Sequence, residues 1–359
     1  MKRLLFLIPA LPDFVPYVYN YFKIAEDCSI EYDVVCWNRK GDQIELPDNF
    51  FIYQRPTKDS YSSLKKLGEI AGFYRFAKRV LGKRNYQLVF TFTIAESVFF
   101  EPLLNKNYKG RYVFDIRDYS PMVKISFLKR RIKRLLSNSA LNVISSEGYK
   151  KWLPEECEYV VCHNTDVDKV YLDDFVLDNK HNIDCLNILT IGAIRNAETN
   201  IKVIDALGNL EGIHLDFVGD GNGAPMLVEY CKDHSIKNVL FHGRYQKKDE
   251  DSFVQKCDLM NIVLPHFKVS EMSNRFYLSV RFRKPMIVND GCFQADQVRK
   301  YGIGLVIKDL SNMYEEILLY WKSLGWESYD EACKRFLKDV SSDMLLFKTK
   351  VARLMKFGN

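Results

Sequence analysis

Apolar runs alternate with longer amphipathic stretches along the whole chain. In the first half, short runs rich in β-branched residues predict strands at 3–8, 33–37, 87–92, 112–116, 141–145 and 159–163. Helical patterns separate them, most clearly around 62–82 and 121–138. Continuous apolar strands that alternate with helices are typical of a parallel sheet covered on both faces.

The pattern breaks once and then starts again. Residues 172–186 are polar without a period, and new apolar runs follow at 186–191, 213–218, 238–242, 259–264, 285–290 and 304–307. The stretch 311–358 has apolar residues at helical spacing. We therefore predict an α/β protein with two Rossmann-like, doubly wound parallel-sheet domains that face a cleft. The predicted domains are 1–170 and 187–335, with a linker at 171–186 and a final helix, 336–359, that returns to the first domain.

Positive charge is concentrated in the first half. The 359 residues include 52 basic and 46 acidic ones, but residues 1–165 hold 26 basic and only 18 acidic residues. This asymmetry indicates an anionic partner for the first half. The nine cysteines form no C-x-x-C pair, so we expect reduced cysteines rather than a disulfide framework or a zinc site. No apolar run approaches the roughly 18 residues of a membrane span, and the N-terminal run fits a buried strand better than a signal peptide.

Glycines and a cation follow the first two strands of the second half. The run "ILTIGAIRN" ends in Gly192, which would let backbone approach a ligand, and continues to Arg195 and Asn196. The Arg195 guanidinium could form a forked contact with phosphate, and Asn196 could cap the next helix. A Gly-Asp-Gly turn follows, with Gly219 and Gly221, whose amides would suit an anion at a helix N-terminus. A solvated loop and a glycine turn of purely geometric purpose are the alternatives for these stretches.

Two further turns carry the same kinds of residue. Gly243 ends a predicted strand, and Arg244 and Tyr245 follow it, where they could hold a flat base; a plain turn is equally consistent. A strand that ends at Pro265 leads into a polar loop and the start of a helix, with Lys268, Glu271, Ser273, Asn274 and Arg275. Ser273 and Asn274 are expected to cap that helix, so that its amides and Arg275 form a second surface for phosphate.

The order of these turns resembles that of a known family. The segments are "ILTIGAIRN", "FVGDGN", "FHGRY" and "SNRFYLSVRFRKPMIV", and "VVCHNTDVDKVY" and "FDIRD" in the first half add to the similarity. Together they resemble the GT-B glycosyltransferases of the family-four type, which are common in bacterial surface-polysaccharide synthesis. The resemblance covers most of residues 85–310.

The resemblance implies a function and a division of roles. It implies transfer of a sugar from a nucleotide-sugar to a lipid-linked or oligosaccharide acceptor, in capsule, O-antigen or exopolysaccharide synthesis, with retention of stereochemistry. The second domain would bind the donor through the turn residues named above. Arg117 and Asp118 would contact the acceptor or the donor sugar and act with Arg195 in catalysis, while Pro12 and Asp13 would shape the acceptor wall.

We expect neither a cofactor nor a metal beside the nucleotide-sugar, which is a co-substrate. A fixed cation such as Arg195 can stabilise the departing diphosphate in place of a metal ion. The Asp-Val-Asp at 166–168 is the one tempting metal motif, and a pattern this short arises easily by chance.

One position departs from the family pattern. Many members carry two glutamates with seven residues between them, of which the second binds the donor's ribose. Glu271 matches the first glutamate. The second falls on Ser279 by spacing, or on Leu278 by alignment from the Lys-Pro pair that follows, and neither residue is acidic.

Two basic segments stand out in the first half. Residues 65–84 contain seven basic residues and one acidic residue, and residues 124–134 contain six basic residues and no acidic one. Basic amphipathic helices are typical of membrane-surface elements, although a solvated helix face has the same composition. We expect an anionic membrane surface as a partner, with the protein in the cytoplasm at the inner face of the cytoplasmic membrane. Nucleic acid is not expected, because base-stacking and groove-reading motifs are missing.

Two other functions fit the same architecture. A nucleotide-sugar epimerase would use acid and base groups and would release nucleotide without sugar transfer. A non-catalytic scaffold in polysaccharide assembly would be consistent with the missing second glutamate. A dinucleotide oxidoreductase is disfavoured, because no G-x-G-x-x-G follows the first strand.

Overall fold

The computed structural model describes residues 3–41, 43–57, 62–165, 185–265 and 269–358. Contacts divide the chain into two compact units. The first comprises Met1–His163 and Asp343–Asn359, and the second comprises Asn164–Ser342. The predicted linker 171–186 lies outside the described residues except for its last two positions. Within those ranges, no helix is long and apolar enough to cross a membrane.

The first unit is built on a parallel sheet of seven strands. The strands are β1 (Arg3–Leu7), β2 (Glu31–Asn38), β3 (Phe50–Gln54), β4 (Leu88–Phe92), β5 (Tyr112–Ile116), β6 (Leu141–Ile144) and β7 (Val160–Val161). Their order in the sheet is β3-β2-β1-β4-β5-β6-β7. The helices that alternate with them are α1 (Val18–Asp27), α2 (Ser63–Leu81), α3 (Ile94–Asn107) and α4 (Ser126–Asn138).

Both faces of this sheet are covered, as the continuous apolar strands predict. On one face, Phe73 of α2, Leu104 of α3 and Leu135 of α4 lie in one buried cluster with residues of the strands. On the other face, Phe6 of β1 packs edge-on against Phe22 of α1 with ring centroids 5.0 Å apart. The sheet is therefore held by packing on two sides, which leaves its strand ends as the places for chemistry.

Three details of this unit differ from the sequence pattern. The strand β3 is not predicted, because it is a half-buried edge strand whose residues show no clear alternation. The predicted helix 121–138 divides into a 3₁₀ turn, Pro121–Lys124, and α4. The predicted strand 159–163 is reduced to the two residues of β7, because only these pair with β6.

The second unit contains a parallel sheet of six strands. The strands are β8 (Leu186–Ile191), β9 (Ile213–Val218), β10 (Val239–Gly243), β11 (Leu259–Asn261), β12 (Met286–Asn289) and β13 (Gly304–Ile307), in the order β10-β9-β8-β11-β12-β13. The helices are α5 (Ala197–Leu207), α6 (Ala224–Asp233), α7 (Glu250–Lys256), α8 (Asn274–Arg281), α9 (Phe293–Tyr301), α10 (Met313–Ser323) and the long α11 (Trp326–Phe357).

The last part of α11 packs in the first unit. From Asp343 onward its residues belong to that unit. Four side chains at helical spacing, Met344, Phe347, Val351 and Met355, are fully buried. Gln87 of the first unit donates a hydrogen bond from Nε2 to the Met355 carbonyl at 3.1 Å.

The strand orders locate the candidate sites. In each sheet the chain builds outward from a central strand, first to one side and then to the other, so the order reverses beside β1 and beside β8. Ligands of open α/β sheets bind beyond the carboxyl ends of the strands at such reversal points. These two edges are therefore where binding residues are expected.

Candidate functional site

Three glycines meet at the carboxyl edge of the second sheet. Gly192, Gly219 and Gly243 follow or end β8, β9 and β10, and their φ angles are +106°, +136° and +70°. The Gly192 amide donates to the Val218 carbonyl at 2.8 Å, and the Gly219 amide donates to the Gly243 carbonyl at 2.8 Å. Turns that are far apart in sequence are thus joined into one continuous edge.

The Gly-Asp-Gly turn has a packing role. A Cβ on Gly219 would lie 1.9 Å from the Gly192 carbonyl oxygen, and one on Gly221 would lie 2.4 Å from the Ile194 carbonyl oxygen. The amide of Gly221 donates to Asp220 Oδ1 at 2.7 Å, and that of Gly223 donates to the Ile194 carbonyl at 3.0 Å. These amides have partners within the chain, and glycine is required here for the close approach of two loops. The anion contact of Gly219 and Gly221 stays a prediction.

Gly192 and Arg195 border open space. No atom lies within 4 Å of a Cβ built on Gly192, in contrast to Gly219. Arg195 is exposed and makes neither a hydrogen bond nor an ion pair with any described residue. Asn196 caps α5, because its Oδ1 accepts a hydrogen bond from the Thr199 amide at 2.7 Å. The loop is therefore anchored at Asn196 and presents Arg195 as an uncompensated cation.

Tyr245 is fixed at the end of β10. Its hydroxyl donates to Glu250 Oε1 at 2.9 Å, and Lys247 also binds this carboxylate. Burial raises the pKa of Tyr245, with Glu250 adding to the rise and Arg275 opposing it. Arg244, the preceding residue, is exposed and has no ion pair in the described part of the chain.

Arg275 lies in the first turn of α8 without an acidic partner among the described residues. Its Nη1 donates to the Asn261 carbonyl, at the end of β11, over a long 3.4 Å. Burial lowers the pKa of Arg275, and Tyr245 only partly opposes this. Arg275 is half-buried, and a guanidinium that is partly removed from water and that no carboxylate neutralises favours an external anion.

The residue before α8 does not act as predicted. Ser273 occupies the N-cap position, but its side chain accepts no capping hydrogen bond. Its Oγ is buried without a hydrogen-bond partner among the described residues, and its amide donates to Gln294 Oε1 at 2.8 Å. The start of α8 thus brings together the first amides of the helix, the unpartnered hydroxyl of Ser273 and the side chain of Arg275. Glu271 is half-buried and Asn274 exposed in the same segment, and Lys268 lies outside the described residues.

Neither candidate for the second glutamate is placed to contact a ligand. Ser279 is fully buried, and its hydroxyl donates to the Lys284 carbonyl. Leu278 is 6% exposed and belongs to the apolar core. The family's ribose contact therefore has no counterpart at either position.

In the first unit, Arg117 has a structural place. It is 3% exposed; its Nη1 donates to the Cys162 carbonyl at 3.0 Å, and its Nη2 pairs with Asp115 Oδ2 at 2.5 Å. Burial alone would lower the pKa of Arg117, but Asp115 holds it well above the ordinary value. Two of its guanidinium nitrogens are engaged inside the unit, and the substrate contact of Arg117 stays a prediction.

The other acceptor-side residues divide by exposure. Asp118 directly follows Arg117, is exposed, and has no hydrogen bond or ion pair in the described ranges. Asp13 is also exposed and accepts a hydrogen bond from the Tyr19 hydroxyl at 2.6 Å. Pro12 is buried in the 3₁₀ turn Pro12–Phe14, where it shapes the loop.

Two of the sequence predictions concern the side chains that could bind a metal and the state of the nine cysteines. No group of three or more His, Cys, Asp or Glu side chains that could hold a metal is found in the described ranges, and Asp166 and Asp168 lie outside them. All nine cysteines are free, as predicted.

Comparison with solved structures shows which fold this is. The chain superimposes on the sucrose-phosphate synthase from Thermosynechococcus elongatus with a TM-score of 0.76 at 14% identity, covering 99% of this chain and 100% of that one. HepE from Anabaena, solved in complex with UDP-glucose, gives a TM-score of 0.67 at 12% identity, with 99% and 100% covered. WaaG, a glycosyltransferase involved in lipopolysaccharide biosynthesis, gives 0.65 at 14% identity, also with 99% and 100% covered. No protein-family model and no curated protein sequence matches the chain.

These similarities extend over both units. Two parallel-sheet α/β units, in a chain covered from end to end by glycosyltransferase structures, define the GT-B fold. The fold predicted from the order of the sequence motifs is thereby confirmed.

Proposed function

We propose that the protein is a glycosyltransferase whose second unit binds a nucleotide-sugar at the carboxyl ends of β8 to β11. One observation carries the proposal: Arg195 and Arg275 are cations without a carboxylate partner among the described residues, beside the open edge at Gly192. A diphosphate supplies the missing negative charge. The structure of HepE with UDP-glucose, in the same fold, supports a nucleotide-sugar as the ligand.

The chemistry follows from where charge develops. The bond between the anomeric carbon and the diphosphate oxygen breaks, and negative charge builds on the leaving diphosphate. Arg195, Arg275 and the first amides of α8 stabilise this charge, and one such donor contributes on the order of 3 kcal/mol to the barrier. The acceptor hydroxyl attacks the anomeric carbon with retention, and its proton passes to the leaving diphosphate. This proposal assigns the cationic role to side chains, with no metal and no cofactor.

The acceptor in this proposal is a lipid-linked saccharide of a bacterial surface polysaccharide. The solved structures of WaaG and of the lipopolysaccharide outer core galactosyltransferase WaaB, both of the same fold, support this class of acceptor. The exposed carboxylates of Asp13 and Asp118 are the candidate contacts to its hydroxyl groups.

The basic segments of the first unit would hold the protein at the inner face of the cytoplasmic membrane. In 124–134, Arg131 and Arg134 both pair with Glu101 at 2.9 Å, and Lys133 pairs with Glu156. Exposed basic residues that form no ion pair with a described residue remain in both segments: Lys124, Lys129 and Arg130 near the start of α4, and Arg75, Lys78, Arg79 and Lys83 in and after α2. Exposed Ile125 and Phe127 lie among the first set. Cations and apolar side chains together fit an anionic bilayer surface.

The decisive experiment is a thermal-shift panel of UDP-, GDP-, ADP- and dTDP-sugars on the full chain. We expect one nucleotide-sugar to raise the melting temperature and Arg195→Ala to weaken its binding about tenfold or more, because a charged hydrogen bond is lost. Lys202→Ala is the control, since this exposed lysine pairs with Glu198 on the outside of α5. If no nucleotide-sugar stabilises the protein, donor binding is refuted.

That negative result would favour a non-catalytic scaffold instead. The observation on its side is that the positions expected to hold the second glutamate are a buried leucine and a buried serine. A positive shift followed by release of nucleotide without a transferred sugar would favour the epimerase.

A further inference from the structure

The ring of Tyr17 lies where three adjacent strands of the first sheet end. Tyr17 comes from the loop after β1, and its ring centroid lies 5.7 Å from that of Phe92, the last residue of β4. The guanidinium of Arg117, directly after β5, lies over the same ring at 4.5 Å. Because β1, β4 and β5 are neighbours, this ring is at the reversal point of the sheet.

The ring is fixed, but its hydroxyl is not engaged. The phenol forms no hydrogen bond with any residue the structure describes. The carboxylates that interact with it electrostatically are Asp115, Asp118 and Glu96. Asp115 is paired with Arg117, and Glu96 binds Arg39 at 2.7 Å. Asp118 is the one carboxylate of the three without a partner in the described ranges.

The protonation state of the phenol follows from its surroundings. Burial raises the pKa of Tyr17; Arg117 opposes the rise, and Asp115, Asp118 and Glu96 add to it. The hydroxyl therefore stays protonated at neutral pH and can both donate and accept a hydrogen bond. Beside it, Asp118 offers a carboxylate that can only accept one.

We propose that the Tyr17 hydroxyl and the Asp118 carboxylate together bind a hydroxyl-bearing sugar of the acceptor. This inference rests on the proposed function and names the acceptor contact within it. A neutral hydroxyl beside an acceptor-only carboxylate matches a pyranose ring, whose adjacent hydroxyls each donate and accept. The pair does not suit phosphate, because Arg117, the cation that lies over the Tyr17 ring, is already neutralised by Asp115.

The buried ion pair between Arg117 and Asp115 would hold the Tyr17 ring in place. Arg117 is a positioning residue. Its guanidinium lies over the Tyr17 ring, and it is itself bound by Asp115 and the Cys162 carbonyl. Arg117 of the segment "FDIRD" would therefore act on the sugar through Tyr17, which lies outside that segment.

Binding of simple sugars tests this pair directly. The protein is labelled with tyrosine carrying ¹³C at Cζ, and the Tyr17 signal is identified as the one missing from Tyr17→Phe. Methyl glycosides of glucose, galactose, mannose and N-acetylglucosamine are then titrated in. We expect at least one of them to move the Tyr17 signal, and saturation-transfer NMR to show binding roughly fivefold weaker in Tyr17→Phe and in Asp118→Asn, as for the loss of one hydrogen bond.

Tyr32→Phe is the matched control. Its hydroxyl donates to Glu26 at 2.9 Å, at the start of β2 and the end of α1, away from the carboxyl ends of β1, β4 and β5. This variant should bind the glycoside like the wild type. Arg117→Lys, if folded, should weaken glycoside binding and move the Tyr17 signal even without sugar.

The proposal is overturned if no methyl glycoside moves the Tyr17 signal, or if Tyr17→Phe binds as tightly as the wild type. Inorganic phosphate that moves the signal while all four glycosides do not also overturns it. The nucleotide-sugar thermal shift is measured on the same variants. The thermal shift reports on the second unit. If it is intact while no glycoside moves the Tyr17 signal, this inference fails and the proposed function stands; if no nucleotide-sugar gives a shift, the proposed function fails.

Discussion

Arginine residues in this protein fall into two kinds that look alike in the sequence. Arg117 and Arg283 are buried and paired, with Asp115 at 2.5 Å and with Asp330 at 2.7 Å. Arg195 and Arg275 have no carboxylate partner in the described ranges. A buried pair is internally balanced, whereas an unbalanced cation at a strand end favours an anionic ligand. Candidate binding residues are therefore recognised by the partners they lack.

At the same scale, Gly219 and Gly68 give opposite predictions. Gly219→Ala would place a Cβ 1.9 Å from the Gly192 carbonyl at a φ of +136°, and we expect it to destabilise the second unit by about 3 kcal/mol. Gly68→Ala, in α2 with no atom within 4 Å of the new Cβ, should stabilise by roughly 0.5–1 kcal/mol. Urea unfolding measures both changes. A Gly219→Ala variant as stable as the wild type would contradict the packing role of this turn.

At the scale of elements, the basic residues of α4 fall into two groups. Arg131 and Arg134 converge on Glu101, which is 4% exposed, and thereby tie α4 to α3. Lys129 and Arg130 are exposed in the first turns of the helix. Among the basic residues of α4, Lys129 and Arg130 form no ion pair with a described residue, so the charge of the helix overstates the attraction that the proposed lipid contact would have.

This division predicts vesicle binding. Replacing Lys129 and Arg130 with alanine should weaken binding to vesicles of phosphatidylcholine and phosphatidylserine by about 2 kcal/mol, roughly 30-fold, because each cation contributes about 1 kcal/mol. The matched control replaces Lys232 and Lys237, two exposed lysines of the second unit. Sedimentation with vesicles measures both variants, and binding should also fall with salt. Equal loss in the two variants would indicate attraction by net charge alone and contradict a docking role for α4.

At the scale of the whole molecule, α11 contributes to both units. Its residues up to Ser342 belong to the second unit, and those from Asp343 to the first. The first unit consists of two segments of the chain, one ending at His163 and the other starting at Asp343. These two residues are in contact, because His163 Nε2 and Asp343 Oδ2 are 3.0 Å apart. The first unit is thus completed by a segment that begins 180 residues further along the sequence.

Two substitutions in α11 test how much the first unit depends on that segment. Phe347 is fully buried, with its ring edge-on to Tyr21 at 5.1 Å, and Phe347→Ala should cost about 3–5 kcal/mol. Leu345 is 66% exposed, and Leu345→Ala should change stability by no more than about 0.5 kcal/mol. Calorimetry should show a lower unfolding temperature for Phe347→Ala, while the nucleotide-sugar still stabilises the second unit. If both variants melt like the wild type, the segment is not needed for the first unit.

Sequence and structure agree on the sheets and differ at the strand ends. The central strands β1, β4 and β8 are found where the apolar runs predict them, because a strand buried on both faces needs a continuous run. The edge strand β3 is missed, since half-buried strands leave a weaker pattern. Asn196 caps α5 as its residue type suggests, but the Ser273 side chain does not cap α8.

The sequence by itself determined two parallel α/β sheets and their order of turns, because periodicity and turn chemistry are local properties, and the resemblance of its motifs to a known family implied the GT-B fold. Only the tertiary structure decided which side chains at those turns are engaged. Arg131 pairs with Glu101, 30 residues away in the sequence, and Arg283 pairs with Asp330, 47 residues away. Arg195 and the Tyr17 hydroxyl have no hydrogen-bond or ion-pair partner among the described residues. Charge neutralisation depends on distance in space, and that distance is fixed only when the chain has folded.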